Sequence, residues 1–138
     1  MKNTAGYSGT PLAKKLGYKE GYHIYLKNEP AHYWKLFDLL PEGIQKVKEP
    51  KNGSIDLIHL FCSSLEELER YTKECKSLLK KTGILWVSWP KGSSKIPTDL
   101  KREPIREHVL GIGLVDVKVA AVDEDWSGLK FVYRVKDR

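Results

Sequence analysis

The sequence predicts a three-layer α/β sandwich built on a mostly parallel sheet that a C-terminal antiparallel hairpin closes. Three observations carry this. Apolar, β-rich runs at Tyr22–Leu26, Ile55–Phe61 and Ile84–Ser88 alternate with stretches of helical spacing, and strands separated by helices imply right-handed crossovers between parallel strands. The run Ile55-Asp56-Leu57-Ile58-His59-Leu60-Phe61 is almost continuously apolar, as a strand covered on both faces requires. Two alternating runs, Leu114–Val122 and Leu129–Val135, are joined by Asp123-Glu124-Asp125-Trp126-Ser127-Gly128, which reads as a hairpin.

The elements follow in order. Gly6-Tyr7-Ser8-Gly9-Thr10-Pro11 is a glycine-rich opening, and Thr10 as cap with Pro11 in the first turn starts a short helix that Gly17 ends. Residues 1–20 thus form an N-terminal clasp. The strand Tyr22–Leu26 stops at Lys27-Asn28-Glu29-Pro30. Tyr33, Trp34, Phe37 and Leu40 recur at helical spacing over Ala31–Leu40 until Pro41-Glu42-Gly43 breaks the pattern. Ile44–Lys48 is a weaker strand candidate. Ser64 with Glu67 three residues on makes a capping box, and Leu65, Leu68, Thr72, Cys75 and Leu79 share one helical face as far as Gly83. After Trp89-Pro90, a polar loop over Lys91–Thr98 leads to a helix from about Leu100 to Leu110, with Pro104 in its first turn and Thr98 or Asp99 as its cap.

At 138 residues, 41% hydrophobic and 30% charged, the chain suits a single globular domain over residues 1–138. Its apolar runs fall far short of the roughly 20 residues of a membrane span, and Met1–Tyr7 lacks the apolar stretch of a signal peptide. The expectation is a soluble, cytoplasmic protein with no membrane partner. Cys62 and Cys75 sit on apolar runs as reduced thiols, and the scattered His23, His32, His59 and His108 give no metal-ligand spacing. The net charge of +6 attracts anions. Because lysines mix with glutamates along the helices, as in Lys73-Glu74 and Lys101-Arg102-Glu103, and no arginine-rich arm is present, the sequence argues against a dedicated nucleic-acid binder.

Four phrases carry a resemblance: Gly6-Tyr7-Ser8-Gly9-Thr10-Pro11-Leu12-Ala13-Lys14-Lys15-Leu16-Gly17, Leu85-Trp86-Val87-Ser88-Trp89-Pro90-Lys91, Gly113-Leu114-Val115-Asp116-Val117-Lys118-Val119 and Val122-Asp123-Glu124-Asp125-Trp126-Ser127-Gly128-Leu129-Lys130. Together they resemble the bacterial domain of unknown function 3052 family, a likeness that covers nearly the whole chain and implies no particular activity. More remotely, helix-alternating strands closed by an antiparallel hairpin resemble the Rossmann-like sheet of S-adenosylmethionine-dependent methyltransferases. That likeness implies a glycine-rich loop after the first strand, where the chain has Leu26-Lys27-Asn28-Glu29-Pro30-Ala31 without glycine. It also implies an acidic residue at the end of the second strand to hold ribose hydroxyls, where Glu49 stands nearest. A Gly-x-Gly-x-x-Gly dinucleotide fingerprint is absent, since Gly111-Ile112-Gly113 follows a helix and precedes a strand.

In a parallel sheet, ligands bind outside the carboxyl ends of the strands. The loops leaving those ends place Asn28, Trp89, Lys91, Ser94, Asp123, Trp126 and Ser127 on one rim, and these are the candidate ligand-binding residues. Trp89-Pro90-Lys91-Gly92-Ser93-Ser94-Lys95 offers an aromatic face, two cations and hydroxyls for a small planar or anionic ligand; it equally suits a Trp-Pro plug flanked by solvated lysines. Asp123, Glu124 and Asp125 supply carboxylates, yet acidic residues are what hairpin turns use, and Trp126 is expected to pack against Trp89 or the clasp. No Gly-x-Ser-x-Gly elbow occurs and His59 lies inside a strand, so no catalytic residue is assigned.

The intact scaffold without its cofactor loop favours a non-catalytic Rossmann-like binding or regulatory module that takes a small ligand or a protein partner. The alternatives are a divergent S-adenosylmethionine-dependent methyltransferase-like enzyme and a basic nucleic-acid-associated protein. The sequence names no cofactor; S-adenosylmethionine or a nucleotide would have to bind without the standard glycine-rich loop.

Overall fold

The structure, a computed structural model, describes residues 11–138; the part of the clasp over residues 1–10 lies outside them. The elements are α1 (Leu12–Leu16), β1 (His23–Lys27), β2 (Gln45–Lys46), β3 (Ile55–Phe61), α2 (Leu65–Cys75), β4 (Leu79–Pro90), α3 (Arg102–Gly111), β5 (Leu114–Ala121) and β6 (Trp126–Tyr133), with short 3₁₀ turns at Tyr33–Leu36, Lys76–Leu78 and Val135–Asp137. The strands form one sheet in the order β2-β1-β3-β4-β6-β5. β2, β1, β3 and β4 pair in parallel, and β6 runs antiparallel to both of its neighbours. The hairpin's second strand is thus inserted inside the sheet, leaving β5 as an edge.

Each face of the sheet carries its own apolar layer. On one face, Leu68, Tyr71 and Cys75 of α2 and Ile105 and Val109 of α3 cover Ile58, Leu60, Leu85, Val87 and Trp89. On the other, Ala13 and Leu16 of α1 and the chain from Tyr33 to Ile44 cover Leu57, Phe61, Trp86 and Trp126. The alternation of Leu85, Val87 and Trp89 with Ile84 and Trp86 is the two-residue period of a strand buried on both sides. α1 ends where Gly17 turns left-handed at φ 88°, and the Trp86 indole Nε1 donates to the Leu16 carbonyl at 2.7 Å, pinning the helix to the sheet.

Three sequence expectations change. The helix expected over Ala31–Leu40 is only the 3₁₀ turn Tyr33–Leu36. Its aromatic residues, poor helix formers, pack edge-on with one another and with Phe61 instead of forming a helical stripe. The α2 helix stops at Cys75, and Leu79, expected on its apolar face, opens β4 by pairing with Ile55 across a register irregularity. The last strand begins at Trp126 and contains Gly128, both expected in the hairpin connection.

Gly128 is required by close approach. A Cβ there would stand 3.0 Å from Trp86 Cε3 and 3.1 Å from Ser88 Oγ, both on the paired strand β4. Replacing Gly128 with Val is expected to lower stability by about 1–3 kcal/mol, the usual cost of overpacking a filled interior. Urea unfolding of the variant measures this, and an unchanged midpoint would show that the indole yields freely.

Candidate functional site

The crossovers change direction between β1 and β3, the first pair at the sheet's switch point. The carboxyl ends of β1, β3 and β4 and the β5–β6 turn therefore share one rim. At the end of β1, Asn28 adopts φ 60°, the left-handed conformation that asparagine tolerates better than most residues. Its Nδ2 donates to the Phe61 carbonyl at 2.9 Å, so the β1 turn is laced to the end of β3. The glycine absent from this turn is replaced by a residue that takes a glycine-like backbone.

Glu29 follows, and its carboxylate lies 3.0 Å from Lys46 Nζ of β2. Glu49 is exposed beyond the end of β2. Of the two carboxylates, the one held against β2 is Glu29, and spacing along the chain did not reveal it because it arrives from the neighbouring strand.

The opposite bank is built by Asp123. One carboxylate oxygen accepts from the backbone N–H of Asp125 at 2.8 Å and of Trp126 at 2.9 Å, the Asx arrangement of a tight turn. The other oxygen meets His32 Nε2 at 3.2 Å. The Asp123 side chain is 9% exposed and that of His32 is 51% exposed, so a buried carboxylate orients an imidazole that remains open to solvent. His32 and Asp123 are 91 residues apart, and no local pattern joins them.

The β4–α3 loop is fastened to the same turn. Lys91 N–H donates to the Asp125 carbonyl at 2.8 Å, and Ser94 Oγ donates to Asp125 Oδ1 at 3.0 Å. Lys91, Ser94, Asp123, Trp126 and Ser127 thus come together, while Asn28 is bonded to the end of β3. Trp89 and Trp126 sit on opposite faces of the sheet, each within its own apolar layer. Trp126 packs edge-on against Phe61 with ring centroids 5.0 Å apart; of its two expected partners, Trp89 lies on the other face, and the clasp residues Ala13 and Leu16 share its layer. Thr98 and Asp99 do not cap α3. Thr98 Oγ1 donates to the Ser63 carbonyl, and Asp99 Oδ1 accepts from Leu65 N–H in the first turn of α2.

Beneath the rim lies a buried polar chain. His59 Nε2 and Ser88 Oγ are 2.7 Å apart, His59 Nδ1 and Tyr33 Oη are 3.0 Å apart, and Tyr33 Oη and Tyr18 Oη are 2.6 Å apart. Burial lowers the His59 pKa to about 3 and raises those of both tyrosines, so the network is neutral. Burial likewise pushes the Cys62 and Cys75 thiols up to about 12, which leaves them unreactive. Among the described residues, no group of three or more His, Cys, Asp or Glu is placed to hold a metal ion, and no helix is long and apolar enough to cross a membrane.

No protein-family model matches the chain, and neither does any curated protein. Solved structures do. A SAM-dependent methyltransferase from Aquifex aeolicus is 14% identical, with a TM-score of 0.59 over 87% of this chain and 86% of that one. A TehB-like SAM-dependent methyltransferase from Corynebacterium glutamicum is 10% identical, with a TM-score of 0.54 over 89% and 85%. DhpI in its SAH complex is 7% identical, with a TM-score of 0.56 over 85% and 78%. At identities this low, the superpositions show a shared Rossmann-like fold and nothing further.

These likenesses overturn the reading as a non-catalytic module. That reading rested on the missing glycine-rich loop, whereas solved structures of the same fold are SAM-dependent methyltransferases.

His59 generates a pH dependence. Its folded-state pKa of about 3 lies below the ordinary value of 6.5, so only the unfolded chain takes up the proton between these values. Stability is full above about pH 6.5 and falls as the pH drops toward 3, by up to about 1.4 kcal/mol per pH unit from this group. Urea midpoints between pH 7 and 5 are expected to fall for the natural chain and to flatten in His59→Gln. An equally steep fall in the variant would assign the dependence to other groups.

Proposed function

We propose that this chain is an S-adenosylmethionine-dependent methyl-transfer enzyme whose cofactor binds on the rim, over the carboxyl ends of β1 and β3. The observation that carries this reading is the sheet itself. Its parallel strands reverse winding between β1 and β3, a single antiparallel strand is inserted next to the edge, and this arrangement is matched over 87% of the chain by a methyltransferase. A plain binding module would need no such match, whereas a diverged enzyme retains the scaffold while its loops change.

The residues present fit the cofactor. The left-handed turn at Asn28 brings the backbone around as a glycine would. Glu29, held against β2, offers a carboxylate to ribose hydroxyls. Bound there, S-adenosylmethionine would supply a methyl group on a cationic sulfur. The Asp123–His32 pair provides a carboxylate and an imidazole that meet across the rim, and Lys91, Ser94 and Ser127 border it toward the acceptor. Trp89 and Trp126, both buried, act as the floor that fixes these loops rather than as stacking surfaces. The reading keeps the resemblance of the four quoted phrases to the bacterial domain family, and a reducing cytoplasmic setting suits the two free thiols.

Isothermal titration with S-adenosylmethionine tests the proposal. Binding is expected for the natural chain and for Asn28→Gly. Asn28→Val, whose branched side chain strains a turn at positive φ, is expected to bind about tenfold more weakly, since such strain costs about 1–3 kcal/mol. Absence of heat at millimolar ligand sinks the reading.

A further inference from the structure

Folding sorts the lysines in a way their order along the chain does not show. Lys118 and Lys130 are direct cross-strand partners on β5 and β6, and like charges in that position oppose the pairing. Lys130 also stands opposite Trp86 of β4, whose indole reaches α1, so this pair lies on the α1 face of the sheet. Lys15 of α1 feels the charges of Lys91 and Lys118, and Lys130 feels those of Lys118 and Lys19; burial and these neighbours lower both ammonium pKa values.

Elsewhere the fold gives a lysine its carboxylate, as in Lys27–Glu74, Lys46–Glu29 and Lys80–Asp56. Among the described residues, Lys19, Lys91, Lys118 and Lys130 have no such partner. Asp116, nearby on β5, is paired with Arg106 of α3, which packs on the opposite face. The result is a row of lysines from the end of α1 across β6 and β5 to Lys91, which Asp125 of the hairpin turn adjoins.

We propose that this face, centred on Lys118 and Lys130 and flanked by Lys15, Lys19 and Lys91, docks the phosphate backbone of a single-stranded nucleic acid. The charges are spread over two strands, a helix and a loop, which suits an extended polyanion better than one small anion. All five are lysines, which bind phosphates as point charges without the planar fork that reads base edges. Binding is therefore indifferent to base sequence and steeply salt-dependent. The inference rests on charge placement and does not require that methyl transfer occur.

Fluorescence anisotropy with a fluorescein-labelled, mixed-sequence RNA oligonucleotide, and with its DNA counterpart, tests it on the full chain. Five phosphate contacts imply a loss of roughly 100-fold in affinity between about 50 and 200 mM salt. Lys118→Glu with Lys130→Glu is expected to weaken binding by at least roughly tenfold. Lys73→Glu with Lys136→Glu, an equal charge change at exposed sites on α2 and near the C-terminus, should leave binding within about twofold. Lys118→Glu alone creates an attractive pair with Lys130, so it is expected to melt about 2 °C higher while binding RNA more weakly. Equal losses in both double variants, a flat salt dependence, a lowered melting temperature for Lys118→Glu, or displacement by polyglutamate as effective as by unlabelled RNA would each overturn the proposal.

Discussion

The structure depends on the double pairing of β4. Along its inner half, Leu85 to Ser88 bond β3 in parallel on one edge and β6 in antiparallel fashion on the other, while their side chains alternate between the two apolar layers. A strand fixed on four sides has one register, because a slip of one residue would exchange Trp86 with Val87 and place each in the wrong layer. That register fixes Ser88 beside His59 and Gly128 beneath the Trp86 indole. It also brings Trp126 to the end of β4, opposite Pro90, which sets where the Asp123 turn stands on the rim.

Polar groups extend this constraint to the segments outside the sheet. His59, wholly buried, is satisfied at both ring nitrogens by Ser88 and Tyr33, and Tyr33 passes the link to Tyr18 just after α1. Leaving any of these groups unpaired in the interior would cost more than its bond contributes, so the network acts as a unit that holds the β1–β2 crossover on the sheet. The same crossover carries His32, whose contact with Asp123 spans the rim from one bank to the other. His32 is thus placed by a neutral core network beneath it, while Asp123 is held by the bonds of its own turn.

The turn after β1 reaches positive φ without a glycine. A glycine-rich turn is one way to obtain positive φ and a close backbone approach, and Asn28 achieves the first of these by another side chain. The fold neighbours share the sheet at 14% identity or less; buried strands require only apolar side chains of suitable shape, which many sequences supply.

The sequence by itself determined the order of the strands and of α1, α2 and α3, the two-sided burial of β3 and β4, the capped start of α2 and the antiparallel close of the sheet. These follow from periodicity and capping, which act over a few residues. It also located the rim loops, because chain order fixes which ends of parallel strands point the same way. Only the tertiary structure decided that β6 enters the sheet between β4 and β5, that residues 33–40 form an aromatic wedge instead of a helix, and that Leu79 belongs to a strand. Only it joined His32 to Asp123 and Glu29 to β2, and set Lys118 against Lys130. Each of these pairings depends on register and on crossover path, and those are settled by the packing of distant segments rather than by any local pattern.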